Sequence, residues 1–155
     1  MRFTESEVYK LHEIVIRLDA YAQGVLLEPI GVTYAEFLVL MAARESRSST
    51  HQDISGHIGA SKSLVSQRVK SLEGKRMAQQ VVNAKNRREH FIELTPKGND
   101  TLDRAYASLL GASEEVFGPL GKERGRLNQL LDHILEQIGK IEDAPRNRET
   151  PRGRR

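Results

Sequence analysis

Between Ser61 and Arg88 the chain sets eight bases (Lys62, Arg68, Lys70, Lys75, Arg76, Lys85, Arg87 and Arg88) against one acid, Glu73. The net charge of the whole chain is only +3, so this excess is local. Concentrated positive charge neutralises phosphates and releases their counterions, which is the sequence-independent part of nucleic-acid binding. Charge alone would equally describe a solvated basic face. The neighbours of these bases sharpen the reading. Gln67 could exchange two hydrogen bonds with an adenine edge, and Lys62 could reach guanine acceptors or a phosphate. Ser63 and Ser66 are short enough for close backbone approach, and a helix capped by Ser61 would aim free N–H groups at a phosphate.

Other chemistries find less support. The chain has no cysteine, which removes disulfides, thiolate nucleophiles and Cys-ligated zinc. Of the five histidines (His12, His51, His57, His90 and His133) none pairs with another at i, i+4. Asp53 and His57 share a helix face at that spacing, but a metal site would need further, distant carboxylates. No metal and no cofactor are therefore expected. There is no phosphate-binding glycine loop, no nucleophile motif and no carboxylate pair on an evident scaffold, so no enzymatic activity is expected either. No apolar run approaches the ~18–20 residues that span a bilayer, and residues 1–5 lack the apolar stretch of a secretion signal. The expectation is a cytoplasmic protein without a membrane partner.

The bases need a scaffold, and the capping residues outline one. Thr4-x-x-Glu7 predicts the start of a first helix, with Val8, Leu11, Val15, Leu18, Ala22, Val25 and Leu26 on one stripe and a stop near Glu28-Pro29. Thr33-x-x-Glu36 and Thr50-x-x-Asp53 predict the next two starts, and Gly59 a left-handed close to the third helix. Ser61 then opens a fourth helix with Leu64, Val65, Val69 and Leu72 inward. That leaves Lys62, Ser63, Ser66, Gln67 and Lys70 outside and Arg68 at the margin. Val81-Val82 and His90 to Leu94 favour strand, joined by a polar tip carrying Lys85, Arg87 and Arg88. Thr95-Pro96 restarts helix, with Leu102, Ala105, Leu109 and Val116 marking its buried face, and Gly118-Pro119 breaks it. A last helix runs to about Ile141, with Leu127, Leu130, Leu131, Ile134, Leu135, Ile138 and Ile141 nearly in heptad register.

Two short helices meeting at Gly59-Ala60-Ser61 form a helix-turn-helix, in which the first braces the second so that its outer face can enter a major groove. The basic hairpin lies where a wing would send arginine into a minor groove. The fold class is thus mainly α with a small β-hairpin wing: a winged helix-turn-helix with long N- and C-terminal dimerisation helices. Residues 1–32 read as the N-terminal dimerisation helix, 33–98 as the DNA-binding lobe and 99–141 as the C-terminal dimerisation helices. Residues 142–155 read as a disordered Arg-rich tail, serving either non-specific DNA affinity or solubility. A winged lobe over 33–98 cannot cover two long amphipathic helices as well as its own core, which favours a homodimer.

From Thr33 to Gly98 the chain resembles the MarR family of winged helix-turn-helix regulators. The likeness is carried by Ile58-Gly59-Ala60-Ser61-Lys62-Ser63-Leu64-Val65-Ser66, by Val69-Lys70-Ser71-Leu72-Glu73, and by Asn86-Arg87-Arg88 followed by Ile92-Glu93-Leu94-Thr95-Pro96-Lys97-Gly98. The resemblance implies a homodimer on a pseudo-palindromic double-stranded operator, with Lys62, Ser63, Ser66 and Gln67 reading the major groove and Arg88 in the minor groove. It also implies repression relieved by a small aromatic effector, for which His12, Arg17, Tyr21 and Tyr34 are candidate contacts. Three departures stand out. Asn86 replaces a usual aspartate in the wing, Gln80 stands where arginine is common, and Arg76 occupies the place of a glycine, where a left-handed cap would cost roughly 1–2 kcal/mol. The alternative reading is a winged-helix module that binds a protein and ignores DNA.

Overall fold

The computed structural model describes residues 2–46, 49–84, 86 and 89–143. Its elements run α1 (Glu7–Ile30), α2 (Tyr34–Glu45), α3 (His51–Ile58), α4 (Lys62–Gly74), β1 (Ala78–Val82), β2 (His90–Leu94), α5 (Pro96–Phe117) and α6 (Glu123–Asp143), with 3-10 turns at Phe3–Glu5 and Gly118–Leu120. This is the mainly helical winged helix-turn-helix that the capping residues outline. The chain divides into two compact units, Met1–Ser113 and Glu114–Arg155. The Arg-rich tail from residue 144 onward lies outside the described residues. No described helix is long and apolar enough to cross a membrane.

In the first unit the caps form as expected. Thr33 Oγ1 accepts from the Glu36 amide at 3.1 Å while Glu36 Oε2 accepts from the Thr33 amide at 2.8 Å. Thr50 and Asp53 make the same reciprocal pair at α3, at 3.2 and 3.1 Å. Gly59 closes α3 at φ 65°, and Ser61 Oγ opens α4 by accepting from the Leu64 amide at 3.2 Å. The first helix departs from expectation at both ends. It starts at Glu7 rather than Thr4, because Phe3–Glu5 closes into a 3-10 turn and the extended Ser6 caps α1 through the Tyr9 amide at 3.3 Å. At its other end α1 continues through Pro29 to Ile30 and stops at Gly31, with φ 80°. A proline in the last turn forfeits one N–H bond but holds a helical φ, and glycine supplies the left-handed exit.

The core of this unit gathers Leu40 of α2, Ile54 of α3, Val65, Val69 and Leu72 of α4 and Ile92 of β2, all essentially inaccessible. Leu64 does not join them. It is 37% exposed, because one residue of rotation from Val65 carries it past the edge of the buried stripe. Leu102 and Ala105 of α5 are buried as expected, whereas Val116 near its end is exposed. β1 and β2 pair antiparallel with Ala78 opposite Leu94 and Gln80 opposite Ile92. The strand thus begins three residues before Val81, because burying Ala78 outweighs the weak strand preference of Ala78-Gln79-Gln80.

Along α1 only the C-terminal end of the apolar stripe is covered: Leu26 is buried, Val8 and Val15 exposed. In the second unit no described residue of α6 is buried, and Leu130, Leu135, Ile138 and Ile141 all lie open.

Arg76 adopts φ 58°, the one described non-glycine residue with positive φ. The helix end is therefore not rearranged to suit a side chain; the chain accepts the left-handed conformation. Arg76→Gly is expected to raise stability by about 1 kcal/mol, the steric relief exceeding the entropy glycine adds to the unfolded chain. Urea unfolding of the two proteins checks this, and an unchanged or lower midpoint would contradict it.

Candidate nucleic-acid interface

The outward face of α4 is built by what lies beneath it. Val65, Val69 and Leu72 are completely buried and fix the helix's rotation. Lys62, Ser63, Ser66, Gln67 and Lys70 then stand exposed together, with the Ser61 cap at their head and Arg68 half-buried at the margin. The buried Nε of Arg68 finds no acceptor among the described residues. All seven of these residues fall where the spacing puts them. The arrangement offers cations, hydroxyls, a carboxamide and a helix N-terminus on one surface, which are the groups that contact phosphates and base edges.

The far end of α4 is anchored by ions. Glu36, 1% exposed, accepts from Lys75 Nζ at 2.7 Å and from Ser71 Oγ at 2.7 Å. Lys75 Nζ also donates to the Gly31 carbonyl at 3.0 Å. Burial pushes the Glu36 carboxyl up, but the hydrogen bonds from Lys75, Ser71 and Thr33, with the charge of Lys75, more than offset it and hold its pKa below the ordinary value. Lys75, one of the eight bases of the local excess, is therefore committed to the fold rather than displayed for phosphate. Lys97 Nζ donates to the Lys75 carbonyl at 2.9 Å and Thr95 Oγ1 to the Arg76 carbonyl at 2.8 Å, so the segment after β2 docks on the end of α4.

The hairpin continues from that anchor. Gln80 Nε2 donates to both carboxylate oxygens of Glu73, at 3.2 and 3.1 Å, tying β1 to α4. At the tip the Asn83 amide donates to the Glu89 carbonyl at 2.9 Å and the Asn86 amide to the Asn83 carbonyl at 3.1 Å. The wing bases Lys85, Arg87 and Arg88 lie outside the described residues.

The four candidate effector contacts do not assemble into one site. His12 is exposed on α1, Arg17 is paired with Glu13 at 2.7 Å, and Tyr21 is 38% exposed. Tyr34 alone lines an apolar cleft of about 290 Å³, with Phe37, Leu38, Met41, Tyr106 and two leucines of α5. Its ring stacks on Phe37 at 6.1 Å, and burial, then Asp19, raises the pKa of its hydroxyl. Phe37 and Tyr106 were not singled out from the sequence. The spacing Tyr34-x-x-Phe37 marks one helix face, but nothing local joins it to Tyr106. Asp53 and His57 are engaged apart, Asp53 with Thr50 and His57 with Glu45 at 3.4 Å. Among the described residues no group of three His, Asp or Glu could hold a metal ion.

Neither a protein-family model nor a curated protein matches the chain. Solved structures share its fold. A MarR/EmrR family transcriptional regulator from Acinetobacter sp. ADP1 matches with TM-score 0.79 at 18% identity, over 92% of this chain and 99% of that one. CouR from Rhodococcus jostii RHA1 bound to p-coumaroyl-CoA matches with TM-score 0.76 at 20% identity, over 86% and 92%. The transcriptional repressor CouR bound to a 23-mer DNA duplex matches with TM-score 0.73 at 23% identity, over 90% and 94%. At these identities the likeness is one of fold: the chain has the winged helix-turn-helix architecture of MarR-family regulators.

Proposed function

We propose that the protein is a MarR-like transcriptional regulator, a cytoplasmic homodimer that binds double-stranded DNA at a pseudo-palindromic operator. The observation that carries the reading is the face of α4, where Lys62, Ser63, Ser66, Gln67 and Lys70 are exposed over a fully buried Val65-Val69-Leu72 stripe. Residues 33–98 form the DNA-binding lobe, with Ser61 and Arg68 contributing phosphate contacts and Lys85, Arg87 and Arg88 supplying the wing. CouR, of like fold, is a repressor bound to DNA in one structure and to p-coumaroyl-CoA in another. By that analogy this protein represses, and a small aromatic effector seated at Tyr34 releases it.

The reading is tested by titrating the full chain against random-sequence duplexes at two salt concentrations and sequencing the bound fraction. A pseudo-palindrome with half-sites ~34–36 Å apart supports it. Salt-insensitive or absent binding by folded protein overturns it and favours a protein partner. Gln67→Ala should then cost about 1–3 kcal/mol of operator affinity and relax one base position, whereas Lys70→Ala should weaken all sequences alike and reduce the salt slope by about one. Equal loss on operator and random DNA for Gln67→Ala would demote it to a backbone contact.

Residues 1–32 and 99–141 supply the dimer contacts, because the stripes of α1 and α6 are too apolar to stay in water. Closed two-fold symmetry also suits a two-fold operator. Leu131→Glu with Ile138→Glu is expected to give a monomer by sedimentation. Its operator affinity should fall by at least about a hundredfold, because one lobe then binds without its tethered twin. A dimer that persists in this variant would move the interface elsewhere.

A further inference from the structure

The hairpin has one more pairing than its two strands. Thr50, the cap of α3, bridges antiparallel to Phe91, and the Ile92 amide donates to the Ser49 carbonyl at 2.9 Å. Antiparallel register carries the residue after Thr50 towards the residue before Phe91, which brings His51 beside His90. These two histidines, with Thr50, Gln52, Lys62 and Glu89, line a cleft of about 300 Å³. Lys62 enters it from the first turn of α4, so the cleft opens beside the proposed reading face.

The charged groups around the pair come from every element that meets there. Lys62 is the cation from α4, and Glu89 is the acid in the wall, just before β2. Asp53 of α3 lies with Glu89 in the adjoining cleft and accepts from Thr50. The charge of Glu73 of α4 also acts on His51, while its carboxylate holds Gln80. Burial first, then the neighbouring His90, lowers the pKa of His51 below the ordinary 6.5, and Glu73 opposes them. In the free protein the neutral form of the His51 ring is thus favoured.

We propose that His51 and His90 form, with Lys62, a phosphate clamp beside the tip of the wing whose imidazoles take up protons as DNA binds. The proposal rests on the DNA-binding reading above. A DNA phosphate in the cleft would place its negative charge against both rings, favouring the imidazolium form, which donates from both nitrogens. Glu89 repels the phosphate while His51 is neutral and is offset once that ring is charged. Affinity for DNA therefore rises as pH falls, by up to about tenfold per pH unit for each proton taken up. This makes the regulator hold its operator more tightly in an acidifying cell.

The test is fluorescence anisotropy of the full chain on a labelled duplex carrying the enriched operator, at constant ionic strength, across roughly pH 6 to 8, where imidazoles titrate. Kd should tighten at least about tenfold towards the acid end. His51→Gln/His90→Gln should flatten that profile while retaining binding near the alkaline end. The single variant His90→Gln, at an exposed position, should remove part of the slope and keeps the test intact if the double variant misfolds. His57→Gln, outside the cleft, should leave the profile unchanged. A Kd independent of pH, or a slope that survives in the histidine variants, overturns the clamp while leaving DNA binding standing. Folded protein that binds no DNA at any pH removes the DNA reading and the clamp together.

Discussion

Gly98→Ala is expected to lower the melting temperature by roughly 10 °C, a loss of about 3 kcal/mol at 2–4 °C per kcal/mol for a chain of this size. Gly98 is buried in the first turn of α5, and a Cβ there would lie 1.9 Å from the Met77 carbonyl oxygen and 2.9 Å from its carbon. The obstacle is backbone, so no side-chain rotation relieves it. Nor can Met77 move freely, since its carbonyl accepts from the Thr95 amide at 3.1 Å. Thr95 Oγ1 in turn accepts from the Gly98 amide at 3.1 Å and donates to the Arg76 carbonyl. Relief therefore means withdrawing α5 from the end of α4 and surrendering this network. Gly111→Ala in the same helix is the control. Nothing lies within 4 Å of a Cβ there, and the change should stabilise by up to about 1 kcal/mol through helix propensity. Calorimetry on both variants decides the matter; a Gly98→Ala protein melting within about 2 °C of the parent would mean that the docking is soft.

That glycine shows where sequence reasoning ends. Leu94-Thr95-Pro96-Lys97-Gly98 stands out as a motif, and its threonine and proline announce a helix start. The reason for its glycine, however, is an approach to Met77, twenty-one residues earlier. The caps at Thr33, Thr50 and Ser61 and the left-handed Gly59 were legible because each is satisfied within five residues. The exposed face of α4 was legible because helical periodicity sorts Val65, Val69 and Leu72 from Ser66, Gln67 and Lys70. Leu64 escaped that sorting, since an apolar residue flanking a buried one belongs to the stripe or its edge only once the neighbours are known. Lys75 and the Gln80–Glu73 pair escaped for another reason. A base in a basic stretch looks like a phosphate ligand until its long-range carboxylate is seen, and Gln80 faces Glu73 only because β1 folds back along α4. The bridge from Thr50 to Phe91 is a single residue and has no periodicity to betray it. The stripes of α1 and α6 were legible as the apolar faces of dimerisation helices from their periodicity alone. What covers them was not legible, and in the single chain most of both stay exposed.

Lys75→Met should cost about 3 kcal/mol, the low end for removing one partner of a buried ion pair, because the lysine itself is one-third exposed. The methionine keeps much of the aliphatic stem but leaves the Glu36 carboxylate, 1% exposed, with only Ser71 and the Thr33 amide. The pH dependence distinguishes this from a packing defect. In the parent the folded-state pKa of Glu36 lies below the ordinary 4.5, so its contribution is fully present above that value and is lost as pH falls through the folded value. Without Lys75 two of the four influences that lower it are lost, and burial, the largest influence, is expected to lift the carboxyl pKa of the folded state above that of the unfolded chain. Stability then increases as pH falls through that raised value and the group takes its proton, until the unfolded chain protonates too. The variant should accordingly recover part of its deficit at mildly acidic pH, and Glu36→Gln/Lys75→Met should recover more at every pH by removing both charges. Urea unfolding at several pH values, run as a double-mutant cycle, measures the coupling. A deficit independent of pH, or a double variant no better than the single, would reduce Lys75 to a packing role. With the coupling intact, the carboxylate that caps α2 also clamps the last turn of α4, so the start of α2 helps to set the pose of α4 and of its exposed face.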